Sequence, residues 1–146
     1  MGLSSYLKLV EIQTKLASVL PFLGGTLYAS YRFGVLNRPN IFLMLGSLLC
    51  VDMGTTTLNN YMDYKRAKKR SGYGYEVHNA IVRDGLKESR VLALLAALAI
   101  AAVGLGIVLA LRSSWVVLAL GSLSFLLGVL YSAGPLPLSR TPLGEL

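Results

Sequence analysis

A polar stripe within an otherwise apolar stretch is the feature of this sequence best suited to chemistry. Asp52, Thr56, Asn59 and Asp63 follow one another at intervals of four, three and four residues. This spacing places side chains on one face of an α-helix. The rest of the stretch is largely Ile, Phe, Leu, Met, Val and Gly, so the stripe must face the interior of a helix bundle or a water-filled cavity.

Polar side chains in such a helix either bind a ligand or form interhelical hydrogen bonds that hold the bundle together. For the threonines at 55–57, interhelical bonding is the preferred interpretation. For Asn59 and Asp63, which precede a basic segment, function is preferred, and these two are the predicted catalytic residues. Asp52 has two open interpretations, a functional acid or a buried carboxylate that holds a neighbouring helix.

The residues around Asn59 and Asp63 are suited to a magnesium-bound diphosphate. A carboxylate and a carboxamide one turn apart offer the oxygen ligands that Mg²⁺ accepts together with waters and phosphate oxygens. Lys65, Arg66 and Arg83 are the candidate diphosphate-binding cations, because arginine can hold such a group through two hydrogen bonds. For the remaining cations of the basic run, at 68–70, anchoring at the membrane surface is the preferred role.

Long uncharged runs indicate the elements that position this stripe. Of the 146 residues, 14% are charged and 54% are hydrophobic, whereas soluble domains carry about 25% charged residues. About 20 helical residues cross a hydrocarbon core of roughly 30 Å. The sequence therefore predicts an all-α polytopic membrane protein with four transmembrane helices, at about 14–32, 40–62, 91–111 and 114–133, and a long polar loop at 64–90.

The basic residues that produce the net charge of +7 divide unevenly between the two sides of the predicted membrane. Eleven lie on the side of the N-terminus and the 64–90 loop, and three lie on the other. Because cytoplasmic loops are enriched in lysine and arginine, we expect a multi-pass cell-membrane protein whose N-terminus and 64–90 loop are cytoplasmic. The charge is thus a topology signal, and nucleic acid is not an expected partner.

Four segments carry a resemblance to a known family. Asn59-Asn60-Tyr61-Met62-Asp63-Tyr64 resembles the first aspartate-rich motif of the UbiA-type intramembrane aromatic prenyltransferases, and it lies at the end of the second span as in that family. Segment 81–86 resembles the family's arginine-containing segment, 131–136 resembles its Tyr-Ser-x-x-Pro-Leu ending of the fourth helix, and 143–146 resembles the start of the fifth. The form of the first motif is most similar to the branch that prenylates 1,4-dihydroxy-2-naphthoate for menaquinone.

The resemblance implies transfer of a polyprenyl group from polyprenyl diphosphate to an aromatic acceptor, with Mg²⁺ as cofactor and membrane lipid around the bundle. It implies a metal site at Asn59, Asn60 and Asp63. Asn60 and Ala67 stand where the family's motif has aspartates, so Asp63 is the carboxylate that remains. An asparagine can coordinate Mg²⁺ through its carbonyl oxygen but contributes no charge.

The family is longer than this chain, and we expect residues 1–146 to be the N-terminal half of its helical bundle. A missing C-terminal half or a partner chain would supply further metal ligands, so the chain alone is expected to be inactive. The alternative is a small four-helix membrane transporter with Asp52 as its intramembrane acid, although the Asn59 and Asp63 pair and the basic loop have no role there. A membrane scaffold without catalysis would leave the polar stripe unexplained.

Overall fold

The described part of the chain consists of helices. The computed structural model describes residues 3–69 and 79–133, with side chains at 4–66 and 79–133. Its elements are α1 (Leu3–Leu9), a 3₁₀ helix (Ile12–Lys15), α2 (Leu16–Phe33), α3 (Arg38–Lys69), α4 (Ala80–Arg83), α5 (Glu88–Arg112) and α6 (Trp115–Ser132). The all-α prediction is confirmed for these ranges. Loop residues 70–78 and the family-like segments 134–136 and 143–146 lie outside the described residues.

Three of the described helices are long and apolar enough to cross a membrane. They span Arg38–Arg66, Glu88–Arg112 and Trp115–Ser132, and they correspond to the predicted spans 40–62, 91–111 and 114–133. The remaining predicted span, 14–32, is the first along the chain. It corresponds to α2, which is not among these three helices. Two glycines, three hydroxyl side chains, two tyrosines and Arg32 reduce its apolar character.

Helix α3 is longer than its sequence predicts at the end that carries the polar stripe. It continues past 62 to Lys69, so Lys65 and Arg66 lie on the helix and not in the predicted 64–90 loop. Residues 62–69 contain Met, Lys, Arg and Ala, which favour helices, and neither Gly nor Pro. At its other end Asn37 caps the helix by accepting a hydrogen bond from the Asn40 amide at 3.2 Å.

Helices α3, α5 and α6 form the main packed unit, in which α3 and α5 make the most extensive contact. Small residues allow the close approach. A Cβ atom placed on Gly128 of α6 would lie 2.9 Å from Thr55 Oγ1 of α3. About 80° around the axis of α3 from Thr55, Ser47 Oγ donates to the Ala102 carbonyl of α5 at 3.1 Å. These contacts fix the rotation of α3 and hence the direction in which its polar stripe points.

The most deeply buried apolar cluster lies at one end of the bundle. It joins Leu9 of α1, Tyr61 of α3, Ile81 of α4 and Val91 of α5, with Ala80 and Leu86. Leu9 and Val91 are 0% exposed. Elsewhere many large apolar side chains face outward, as is expected of helices in lipid. The most deeply buried part of the described chain is therefore next to Asn59 and Asp63.

Candidate functional site

The predicted stripe lies on one unbroken helix. Since α3 runs from Arg38 to Lys69, Asp52, Thr56, Asn59 and Asp63 share one face within a sector of about 60°. The structure divides this face into two flanks. We call Asp52, Thr56 and Asn60 the clamped flank, and Asn59, Asp63 and Arg66 the motif flank.

The clamped flank binds the start of α2 through a buried ion pair. Lys15 Nζ donates to Asp52 Oδ1 at 2.7 Å and to Thr56 Oγ1 at 2.8 Å. Ser18 Oγ donates to the other carboxylate oxygen of Asp52 at 2.6 Å. The Lys15 side chain is 6% exposed and that of Asp52 is 22% exposed. Of the two interpretations of Asp52, this geometry supports the buried carboxylate that holds a neighbouring helix.

One turn further along α3, Asn60 binds the segment that precedes the 3₁₀ helix. Its Nδ2 donates to the Leu9 carbonyl at 2.9 Å and to Glu11 Oε1 at 3.3 Å. Its backbone carbonyl accepts a hydrogen bond from Asn79 Nδ2 at 2.8 Å. Asn79 caps α4 through its side-chain oxygen, which accepts from the Ile81 amide at 2.9 Å. The C-terminal end of α3 is thus fastened to both α1 and α4.

The motif flank has a different character. Asn59 and Asp63 are both half-buried, and Arg66 Nη1 lies 4.0 Å from Asp63 Oδ1. This Nη1 atom is buried and has no hydrogen-bond partner within the described part of the chain. A buried guanidinium nitrogen without an acceptor is costly. An anion with several oxygens, such as a diphosphate, would supply the missing acceptor.

Lys65 lies on a different side of α3 from Asn59 and Asp63. Its Nζ is 2.9 Å from Glu88 Oε1 at the start of α5 and 5.6 Å from the centroid of the Tyr61 ring. The Tyr61 hydroxyl donates to the same Glu88 oxygen at 2.7 Å. Lys65 therefore ties α3 to α5, and reaching a diphosphate would require it to leave Glu88.

Arg83 ends α4 and is paired with its neighbour. Its Nε donates to Asp84 Oδ1 at 3.1 Å, and the Arg83 side chain is 45% exposed. This hydrogen bond lowers the pKa of Asp84 below its ordinary value. Partial burial of the carboxyl opposes the shift, and Ser5 and Lys8 of α1 add to it. Arg83 is accessible at the same end of the bundle as the motif flank, and Asp84 joins α4 to α1.

The side chains predicted to hold Mg²⁺ offer oxygen donors of the kind that the ion prefers. Asn59, Asn60 and Asp63 contribute two carbonyl oxygens and one carboxylate. The described residues contain no group of three or more histidine, cysteine, aspartate or glutamate side chains placed to hold a metal ion. The donor set fits a magnesium ion that keeps waters and phosphate oxygens in its shell, and it does not fit a metal bound by protein ligands alone.

Sequence reasoning missed the roles of Lys15, Ser18 and Glu11. In the sequence Lys15 is one of the eleven basic residues counted on the side of the N-terminus, yet the structure buries it against Asp52. One signal was present, since Lys15 and Ser18 are three residues apart and share a helix face at the start of an uncharged run. The position of Glu11 has no such signal, because it depends on the turn between α1 and the 3₁₀ helix.

An apolar cavity of about 270 Å³ lies between α3, α5 and α6. On α3 it is lined by Cys50, Gly54 and Leu58, among others, and α6 contributes Phe125. Of its α3 lining positions, all but Thr55 lie about 80° or more around the helix axis from Asn59 and Asp63. The cavity therefore belongs to the packing of the three helices and not to the motif flank.

Comparison with known proteins identifies the family of the chain. The model of the UbiA prenyltransferase family matches residues 18–146, so the chain belongs to this family. It is 34% identical over 139 residues to a 1,4-dihydroxy-2-naphthoate octaprenyltransferase of Bacillus subtilis (strain 168). That match covers 95% of the chain and 44% of the relative, so the chain spans less than half of the relative's length. No solved structure matches the chain significantly.

Proposed function

We propose that the chain is part of an enzyme that transfers a polyprenyl group from polyprenyl diphosphate to an aromatic acceptor. The proposed acceptor is 1,4-dihydroxy-2-naphthoate, which the name of the Bacillus relative indicates. Family membership supports the reaction class. The single observation that carries the assignment of the site is the motif flank, where Asn59 and Asp63 stand one turn apart beside the buried nitrogen of Arg66.

In this proposal Asn59, Asn60 and Asp63 hold Mg²⁺, and Arg66 binds the diphosphate directly. When bound, the ion would neutralise negative charge on the leaving diphosphate. Arg66 contributes hydrogen bonds to oxygens on which charge increases as the bond to the prenyl carbon breaks. The electron-rich ring of the acceptor then attacks the allylic carbon, diphosphate leaves, and the attacked ring carbon loses its own substituent, a proton or the carboxylate as CO₂, so that the ring is aromatic again. The isoprenoid chain remains at the apolar surface of the bundle, because its transfer to water would be unfavourable.

Lys65 and Arg83 are proposed to join the diphosphate by exchanging partners. Each is bound to a carboxylate in the structure, Lys65 to Glu88 and Arg83 to Asp84. Both cations are about half exposed, and ion pairs of such exposure contribute little to stability. A diphosphate could therefore replace the carboxylate at small cost. Arg83 is supported further by its position on α4, which Asn79 holds against the end of α3.

We further propose four spans, with α2 as the first, in a cell-membrane protein whose N-terminus and 64–90 loop are cytoplasmic. Leaving out Lys15, which is buried against Asp52, the distribution of ten basic residues against three supports this orientation. The bond between Lys15 and Asp52 supports the placement of α2 within the bundle, since Asp52 lies at the centre of a membrane-crossing helix. The same ion pair neutralises the acid that the transporter alternative requires.

The motif flank offers one carboxylate, Asp63, and a diphosphate near neutral pH carries several negative charges. We therefore propose that activity requires further ligands from a segment or a chain outside residues 1–146. Residues 1–146 produced alone in membranes should form no prenylated naphthoate from labelled polyprenyl diphosphate and Mg²⁺. Product from residues 1–146 alone would show that the described helices suffice.

The test compares two asparagines of α3 in the protein of full natural length. Asn59→Ala removes a side chain of the motif flank, and we expect transfer of labelled polyprenyl to fall about 10- to 100-fold. Asn40→Ala removes the same side chain at the opposite end of α3, where Asn40 bonds with Arg112, and should leave transfer unchanged. Equal activity of the two variants would contradict the proposed site.

A further inference from the structure

The N-terminal segment places a carboxylate, that of Glu11, against Asn60. We propose that Glu11 is a positioning residue that fixes the orientation of the Asn60 carboxamide and adds negative charge beside it, so that Asn60 Oδ1 can bind a metal cation. This inference rests on the proposed function, since it concerns the same metal site. It goes beyond that proposal by assigning a role to Glu11, which lies outside the motif, in the turn between α1 and the 3₁₀ helix.

Hydrogen-bond chemistry decides which way the Asn60 side chain points. Its neighbours at this position are the Leu9 carbonyl at 2.9 Å and Glu11 Oε1 at 3.3 Å. Both are acceptors only, and the sole donor of a carboxamide is its NH₂ group. The reversed amide would place oxygen against two oxygens, so the assignment of Nδ2 to this side is fixed. Oδ1, on the other branch of the amide, points away from Leu9 and Glu11.

The backbone around Glu11 is shaped to make this contact. Glu11 has φ 50 and ψ 58, a left-handed conformation that costs an ordinary residue about 1–2 kcal/mol. The turn is held on both sides, because Leu9 is 0% exposed in the apolar cluster and Lys15 is bonded to Asp52. Strain of this kind persists where the surroundings enforce it, and it recurs at functional sites. Here it brings a carbonyl and a carboxylate to the same NH₂ group.

The carboxylate also changes the electrostatics of Asn60. A neutral carboxamide is a weaker ligand for Mg²⁺ than a carboxylate. A negative charge hydrogen-bonded to the nitrogen increases electron density on the oxygen, as carboxylates do for metal-bound histidines. Glu11 therefore contributes charge to the metal site without entering the coordination shell. Glu11 and Asn60 together supply charge and an oxygen ligand at a position that holds no acid of its own.

The first experiment measures metal affinity, with Mn²⁺ and inorganic pyrophosphate as the probes. The protein of full natural length in detergent micelles is titrated, and free Mn²⁺ is followed by electron paramagnetic resonance. Glu11→Gln should weaken Mn²⁺ binding about tenfold, as loss of an outer-shell carboxylate does. Gln13→Lys is the control, because Gln13 is exposed in the same segment and the change shifts net charge by the same amount. We expect its affinity to stay within about twofold of wild type.

A second set of variants separates positioning from a general effect of charge. In Asn60→Asp the new carboxylate faces the Leu9 carbonyl and the Glu11 carboxylate, so oxygen opposes oxygen. Adding Glu11→Gln supplies a donor and restores the hydrogen bond with its direction reversed. We therefore expect Glu11→Gln to weaken Mn²⁺ binding in the wild-type background and to strengthen it in the Asn60→Asp background.

Affinities are compared only among variants whose helical content, measured by circular dichroism, equals that of the wild-type protein. A reversal of sign between the two backgrounds supports the positioning role. If Glu11→Gln weakens binding equally in both, Glu11 acts through charge alone and the inference is wrong. If the wild-type protein binds Mn²⁺ with pyrophosphate but Glu11→Gln has no effect, the inference fails while the proposed function stands. Absence of binding by the wild-type protein would overturn both.

Discussion

The two flanks of the polar face of α3 use the same residue types for different purposes, except at Asn60, which binds Leu9 and Glu11 and is also proposed as a metal ligand. On the clamped flank, the polar atoms of Asp52 and Thr56 are bonded to Lys15 and Ser18. On the motif flank, Arg66 Nη1 is buried without a hydrogen-bond partner among the described residues. The flanks differ because the start of α2 covers the clamped flank. It teaches that composition marks a face as polar, and that the facing segment decides whether the face holds structure or a ligand.

The largest effect is expected on the clamped flank. Lys15→Met leaves Asp52 without its counter-ion, and breaking a buried pair in this way costs about 3–5 kcal/mol. The apparent melting temperature in detergent, followed by size-exclusion chromatography after heating, should fall clearly. Lys15→Met combined with Asp52→Leu removes both charges and should recover most of the loss. If Lys15→Met alone melts like wild type, the clamped flank does not hold α2.

On the motif flank we expect loss of activity without loss of stability. Asp63→Asn removes the single carboxylate of this flank and should lower polyprenyl transfer at least about 100-fold, because even residues outside a metal's coordination shell contribute about 10- to 100-fold. The melting temperature should stay close to that of the wild-type protein. Asp52→Asn is the matched change on the clamped flank, and it should mainly affect stability. Exchange of these two outcomes would show that the flanks are assigned the wrong way round.

A smaller effect is expected from Arg66→Lys. Lysine keeps the charge but cannot present two parallel N–H groups to phosphate oxygens, and the loss of one charged hydrogen bond of about 1.5–3 kcal/mol corresponds to roughly tenfold or more in affinity. The KM for polyprenyl diphosphate should rise and kcat should fall, because Arg66 is proposed to bind oxygens on which charge increases as the bond to the prenyl carbon breaks. Arg112→Lys is the control, because Arg112 ends α5 at the opposite end of the bundle from Arg66 and bonds there with Asn40. An equal rise in KM for both variants would remove Arg66 from the site.

The smallest effect is expected on stability, from the ion pair between Arg83 and Asp84 at the end of α4. Since the hydrogen bond from Arg83 lowers the pKa of Asp84 in the folded protein, the pair stabilises the fold above the unfolded pKa of about 3.9. That contribution is lost as pH falls through the lowered folded value. The stability difference between wild type and Asp84→Asn should be constant from about pH 6 to 8 and shrink below about pH 4. A difference that grows with acidification would contradict this sign.

Much of α3 was predictable from sequence, and its surroundings were less so. The intervals between Asp52, Asn59 and Asp63 depend only on the helical repeat, which an unbroken apolar stretch preserves. The pairing of Lys15 with Asp52 joins residues 37 positions apart, and no local pattern encodes such a distance. The sequence predicts a span that ends at about 62, whereas α3 continues to Lys69, because Lys and Arg are good helix formers and the charged residues extend the helix.

Within the candidate site, too, the sequence predicted the position of some residues and not of others. Asn59, Asp63 and Arg66 were predicted together, and the structure keeps them on one flank. Lys65 follows Asp63 closely in sequence, but two positions along a helix differ by about 200° in direction. It therefore reaches Glu88 instead. Glu11 could not be predicted, because its place depends on a left-handed turn that no glycine marks.

The bond between Lys15 and Asp52 also constrains how the chain enters the bilayer. On insertion scales a carboxylate at a helix centre costs about 2.5–3.5 kcal/mol, and Asp52 lies at the midpoint of Arg38–Arg66. Lys15 is synthesised 37 residues earlier, so its ammonium is present when α3 emerges from the ribosome. The two helices are therefore expected to leave the insertion machinery as a hairpin, with α2 retained beside the translocon until α3 arrives. Crosslinking of nascent chains of increasing length would detect this delay, and Lys15→Met should shorten it.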